Sequence, residues 1–213
     1  MSNYLKREDL VFPLASGNKW RKLKYNFKAL KASYFEGIIT FGGAYSNHLA
    51  AAAALAAQQQ IPIVGVVRGE ELANKPLNPT LTQCKANGMK LIFVSRGEYK
   101  LKEFGETVIK IVDKENFFVV TDGGTNKHAV KGCMEILKNQ DMRFDVIGCA
   151  VGTGGTLAGL IASASKHQKV VGFQMVDDAT IPDRIRTFVT RDNWELIRHP
   201  SYAGYAAADK RLV

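Results

Sequence analysis

The 213-residue chain is poor in several features that define whole classes of protein. It has three cysteines, Cys84, Cys133 and Cys149, an odd number without a C-x-x-C pair. A disulfide framework or zinc ribbon is therefore not expected, and the thiols point to a reducing compartment, the cytoplasm. Its four histidines, His48, His128, His167 and His199, show no ligand spacing, so no metal is expected. The polar start, Met1 to Asp9, does not read as a signal peptide. The G-x-S-x-G elbow of hydrolases is missing, as is the Gly-Lys-Ser/Thr of a P-loop. Acidic residues are outnumbered 20 to 29 by basic ones, giving +9. The basic run Lys19, Arg21, Lys22, Lys24, Lys28 and Lys31 has no RNA motif or finger spacing beside it, so no nucleic-acid partner is expected. Residues 146–164 carry no formal charge, but Gly152-Thr153-Gly154-Gly155-Thr156 interrupts them as a strand-to-helix turn rather than a membrane span. No membrane partner is expected.

What is present is a 46% apolar composition, enough for a sizeable core, and a regular alternation of strand-length and helix-length segments. Strands are predicted at 37–41, 61–67, 90–94, 117–120, 145–151 and 169–176. Helices are predicted at 49–60, 78–87, 101–113, 127–139 and 156–166. Such alternation predicts β-α units around parallel sheets. A soft boundary falls at 121–126, where Asp122-Gly123-Gly124-Thr125 marks a turn.

Three segments can carry chemistry. Gly152-Thr153-Gly154-Gly155-Thr156 follows an apolar strand and opens a helix, so its backbone N–H groups and the helix dipole make a cradle for an anion, most plausibly a phosphate. A dinucleotide fingerprint competes, with Asp177 at the next strand end, but Leu157 stands where the third small residue belongs. Phe41-Gly42-Gly43-Ala44-Tyr45-Ser46-Asn47-His48 has the same grammar and places Ser46 or Asn47 as a helix cap, where a carboxylate is welcome. In Ser16-Gly17-Asn18-Lys19-Trp20-Arg21-Lys22-Leu23, a turn precedes Lys19, Trp20 offers apolar cover, and Arg21 and Lys22 would depress the Lys19 amine by like charge. Such a lysine forms Schiff bases.

Taken together, Lys6-Arg7-Glu8-Asp9, Gly17-Asn18-Lys19-x-Arg21-Lys22-Leu23, Gly42-Gly43-x-x-Ser46-Asn47-His48, Gly123-Gly124-Thr125-Asn126 and Gly152-Thr153-Gly154-Gly155-Thr156 resemble the fold-type II pyridoxal-phosphate enzymes. The branch they resemble is that of 1-aminocyclopropane-1-carboxylate deaminase and D-cysteine desulfhydrase. The resemblance implies a two-lobed, three-layer αβα fold with parallel sheets: a small lobe at 33–122, and a large lobe of 1–32 with 123–213 whose C-terminal part is missing. It implies pyridoxal 5'-phosphate as cofactor, bound covalently by Lys19, contacted by Asn47, and held at its phosphate by Gly152, Thr153, Gly154, Gly155 and Thr156 with help from Lys22. Ser46 is implied as a catalytic residue near the substrate carboxylate, with Asn47 and His48 also facing the substrate. The implied partners are a small amino acid and a second copy in a homodimer. His48, where many deaminases of this type have Gln, tilts the reading toward the desulfhydrase. Asp122 sits where some relatives have Tyr, and the C-terminal segment that supplies an active-site tyrosine has no clear counterpart in Tyr202 or Tyr205. The rivals are a shortened relative that binds a phosphate ligand without turnover, and a dinucleotide-binding oxidoreductase.

Overall fold

The structure, a computed structural model, describes residues 3–15 and 17–198. His199, Tyr202 and Tyr205 lie outside the described residues, as does Ser16. The chain forms two compact units, Met1–His128 and Ala129–Val213.

In the first unit, helix α1 (Asn18–Lys31) leads into strand β1 (Gly37–Gly42), helix α2 (Asn47–Gln59), strand β2 (Ile63–Arg68), helix α3 (Pro79–Ala86) and strand β3 (Lys90–Val94). Helices α4 (Arg96–Leu101) and α5 (Glu106–Glu115) then precede strand β4 (Phe117–Val120). The four strands are all parallel in the order β3-β2-β1-β4, with Ile39 opposite Val64 and Ile38 opposite Phe118. Because side chains alternate across a strand, this sheet feeds two cores. Ile38, Ile63 and Val67 pack with Leu23, Phe27, Leu49 and Leu55, while Ile39, Phe41, Val64 and Val66 pack with Tyr99, Val108 and Phe117. Both faces are thus covered, as a parallel sheet requires.

Helix α6 (Lys127–Cys133) runs across the boundary between units. The second unit continues with strand β5 (Val146–Val151), helix α7 (Gly155–Ser163), strand β6 (Lys169–Gln174), helix α8 (Ile181–Arg186) and strand β7 (Trp194–Arg198), its three strands parallel in the order β5-β6-β7. One face packs Val151 and Val170 against Leu157, Ile161, Ile181 and Ile185. The other leaves Val146, Phe173 and Ile197 exposed.

The expected α/β fold with parallel sheets is the observed one, with local differences. The helix predicted at 101–113 begins only at Glu106, because Lys102 adopts φ +53° and Gly105 is extended, and α4 lies before it. The helix predicted at 127–139 stops at Cys133, where tighter i→i+3 bonds from Glu135 and Ile136 take over. Helix α8 and strand β7 were not foreseen.

Candidate active site

In a parallel sheet the loops at the C-terminal ends of the strands gather ligands, and the segments of interest in the first unit lie there. Strand β1 ends at Gly42, where a side-chain Cβ would stand 2.6 Å from both Cβ and Oγ of Ser46, so only glycine lets the loop fold back this closely. Ser46 caps α2 by accepting the Leu49 N–H at 3.3 Å, as expected, and the cap uses a lone pair that leaves the hydroxyl proton free to donate. Asn78 caps α3 through the Leu81 N–H at 2.9 Å and clamps this loop by donating to the Ala44 carbonyl at 3.0 Å. Its cap position before Pro79 was readable; its bond across to Ala44 was not.

Lys19 sits in the first turn of α1, its ammonium 3.0 Å from Asn18 Oδ1. With Asn18 and Asn47 it lines one cleft of about 870 Å³, flanked by Leu14 and by Ala50 and Ala54 of α2. Lys19 and Asn47 are therefore brought to one cavity. Trp20 stacks on Phe12 with ring centroids 4.3 Å apart. Arg21, expected to add like charge beside Lys19, has a carboxylate partner of its own. The Arg21 guanidinium is buried against Glu8, with Nε to Oε2 at 2.8 Å and Nη2 to Oε1 at 3.3 Å, so a carboxylate matches its charge. Glu8 lies 13 residues away, beyond the reach of helical spacing.

Lys22 is buried too and donates to the Gly123 carbonyl at 3.1 Å and to Thr125 Oγ1 at 3.2 Å. Asn26, fully buried, donates to the Lys22 carbonyl at 2.7 Å and accepts from Asn126 at 2.6 Å. The turn at 122–126 is thereby stitched to α1. Asp122 anchors its far side, accepting from the Tyr99 hydroxyl at 2.5 Å and from Lys102 Nζ at 2.8 Å. Burial, reinforced by the charge of Asp122, holds the Tyr99 phenol far above its ordinary range.

His48 is buried in the second position of α2. Its Nε2 lies 2.8 Å from Thr40 Oγ1, and that hydroxyl donates to the Val120 carbonyl at 2.9 Å. Its Nδ1 is buried and has no hydrogen-bond partner among the described residues. Burial first, then the positive charges of Lys19 and Lys22, push the imidazole down to about 3, with Asp122 opposing weakly. The ring is therefore neutral at physiological pH. Thr40 was overlooked in the sequence, although a lone hydroxyl inside the apolar strand Gly37-Ile38-Ile39-Thr40-Phe41 is the signal that marks it.

In the second unit, Gly154 turns the chain at φ +88° into α7, and a Cβ there would meet Ile185 Cγ1 at 3.0 Å. The N-cap of α7 is Gly154, which has no side chain to cap the helix. Arg184 donates to the Thr153 carbonyl at 3.4 Å. Asp177, the acid of the dinucleotide alternative, is paired with Arg198.

A parallel α/β chain with a lysine in a cleft and two glycine-led strand-to-helix crossings belongs, by fold, with the fold-type II enzymes. Solved structures agree on the fold. A crystal structure of an ACC deaminase homologue superposes with a TM-score of 0.79 at 23% identity, over 94% of this chain and 66% of that one. Maize serine racemase follows with a TM-score of 0.65 at 16% identity, over 86% and 63%. The sequence pattern of the pyridoxal-phosphate dependent enzyme family matches residues 2–210, and the chain belongs to that family. Among curated relatives, a Thermotoga maritima protein, provisionally named 1-aminocyclopropane-1-carboxylate deaminase, is 36% identical over 182 residues, covering 79% of this chain and 57% of its own. The Arabidopsis thaliana mitochondrial bifunctional D-cysteine desulfhydrase/1-aminocyclopropane-1-carboxylate deaminase is 27% identical over 208 residues, covering 87% and 51%. The chain thus spans little more than half the length of these relatives.

Proposed function

We propose that this chain is the pyridoxal-phosphate-binding part of an enzyme that deaminates, or eliminates the β-substituent from, a small amino acid. The observation that carries the reading is the cleft shared by Lys19 and Asn47 at the start of α2, in a chain of this family. Each unit offers a group of the cofactor's chemistry: the first a primary amine in a cleft for its aldehyde, the second a helix start without a side-chain cap for its phosphate.

In this reading Lys19 holds the cofactor covalently through Nζ, Asn47 contacts its ring, and Gly152, Thr153, Gly154, Gly155 and Thr156 hold its phosphate with help from Lys22. The lobes are 33–122, and 1–32 with 123–213. When bound, pyridoxal phosphate supplies an electron sink for bonds breaking at or beside the Cα of an amino acid. Ser46 acts on the substrate through its free O–H, which donates to the carboxylate beside the first amides of α2. The freed Lys19 amine moves the proton at Cα. A homodimer in the cytoplasm, the compartment that suits the free thiols, completes the proposal.

D-cysteine and water would give hydrogen sulfide, pyruvate and ammonia, and 1-aminocyclopropane-1-carboxylate and water would give 2-oxobutanoate and ammonia. Incubating the cofactor-loaded chain with each amino acid and assaying the two keto acids tests the reading. One of the two is expected from the unaltered chain and neither from Lys19→Ala. Cofactor bound at Lys19 with neither product would favour a relative that binds without turnover.

A further inference from the structure

Among the described residues, His48 has a buried ring nitrogen without a hydrogen-bond partner, and its other bonds dictate what that partner must be. Thr40 has a single hydroxyl proton, and it goes to the Val120 carbonyl at 2.9 Å. Thr40 Oγ1 can therefore only accept from His48 Nε2, 2.8 Å away, which puts the imidazole proton on Nε2 and a lone pair on Nδ1. The opposite tautomer would bury an unpaired Nδ1–H and take the Thr40 hydroxyl from Val120, leaving two groups unsatisfied instead of one. A buried nitrogen lone pair asks for a donor.

The Cε1–Nδ1 edge of the ring faces Gly124. The point where a Gly124 Cβ would stand is 3.1 Å from His48 Cε1, 3.5 Å from Nδ1 and 3.6 Å from Lys22 Cβ, so this edge of the ring and the stem of Lys22 meet at Gly124. The charged groups facing the imidazole are Lys19 and Lys22 from α1 and Asp122 from the turn after β4. Lys22 has its ammonium on the Gly123 carbonyl and Thr125. Lys19, three residues earlier, projects from the same face of α1.

We propose that His48 Nδ1 is the acceptor to which the Lys19 amine turns from Asn18 when it is not engaged with cofactor, and that Thr40 is the positioning residue that keeps this lone pair available. The proposal rests on Lys19 as the reactive amine. It assigns His48 an acceptor's role: its ring receives an N–H and cannot donate to a substrate carboxylate, which is left to Ser46 and the amides of α2.

Nitrogen-15 NMR of the imidazole in the cofactor-free chain tests it without turnover. The expected spectrum shows His48 protonated on Nε2 alone. Lys19→Met should shift the Nδ1 resonance and raise the pKa of the ring while leaving the tautomer as it is. Thr40→Val should give a mixture of tautomers, and Thr40→Ser, which keeps the hydroxyl, should restore the single one. In the cofactor-loaded chain Thr40→Val should lower kcat about tenfold, the worth of one misdirected hydrogen bond, with KM nearly unchanged. An Nδ1-protonated ring in the unaltered chain, or an Nδ1 resonance indifferent to Lys19→Met, overturns the proposal. Loss of cofactor attachment at Lys19 with these NMR signatures intact would instead overturn the functional reading above.

Discussion

The chain makes the same move twice, from a parallel strand through glycines into a helix, and the two results differ. After β1 the loop is filled with side chains: Ser46 caps α2, Asn78 clamps the loop, and His48 is bonded back to Thr40. After β5 the loop is built on Gly152, Gly154 and Gly155, and α7 starts from Gly154 without a side-chain cap. The sheets behind the loops differ likewise, the first covered on both faces and the second leaving Val146, Phe173 and Ile197 exposed on one. A crowded crossing can tell one ligand from another by the direction of its side-chain donors and acceptors. One led by glycines brings several N–H groups together, which suits an anion. In the function proposed above, the amino acid is recognised by the first unit and the phosphate held by the second.

The largest expected effects lie in the doubly covered core. Phe41, fully buried, should cost about 3–5 kcal/mol on change to Ala, whereas Phe173, 48% exposed, should change stability by no more than about 0.5 kcal/mol. Urea denaturation of the two variants measures this, and equal losses would show the second face to be as covered as the first.

Acid comes next. His48 is held at about 3 against its ordinary 6.5, so between those values the unfolded chain binds the extra proton. Stability should therefore decline by roughly 1.4 kcal/mol per pH unit as pH falls from 6.5 toward 3. Each unit has one tryptophan, Trp20 or Trp194, so the single-tryptophan variant Trp194→Phe follows the first unit alone. His48→Gln should flatten its acid slope.

Smaller still are the loop substitutions, which separate the crossings by mechanism. Gly154→Ala should cost about 2 kcal/mol through strain at φ +88° and crowding on Ile185. Ser46→Ala should cost about 1 kcal/mol through the lost cap. Thermal melting of both variants checks the order.

Much of this was legible in the sequence, and the reason is local chemistry. Strands 90–94 and 117–120 fall where their apolar runs do, and α3 begins after Asn78 and ends before Gly88 because capping and left-handed turns have residue signatures. The helix at 101–113 was misread because nothing in Lys102 announces a left-handed conformation. Lys19 and Asn47, both singled out in the sequence, line one cleft, yet the pairings around them were not read. Glu8 against Arg21, Thr125 against Lys22, and Asn126 against Asn26 are pairings across 13 to about a hundred residues, which no periodicity encodes. These partners decide which charges are matched, as the Glu8 carboxylate matches Arg21.

The central claim is that Lys19 carries the cofactor, and one measurement addresses it directly. The chain is loaded with pyridoxal phosphate, reduced with borohydride, digested and analysed by mass spectrometry. The account predicts the reduced pyridoxyl group on the peptide containing Lys19, and its loss in Lys19→Ala at unchanged circular dichroism. A label on another lysine, or an unlabelled chain, would contradict it.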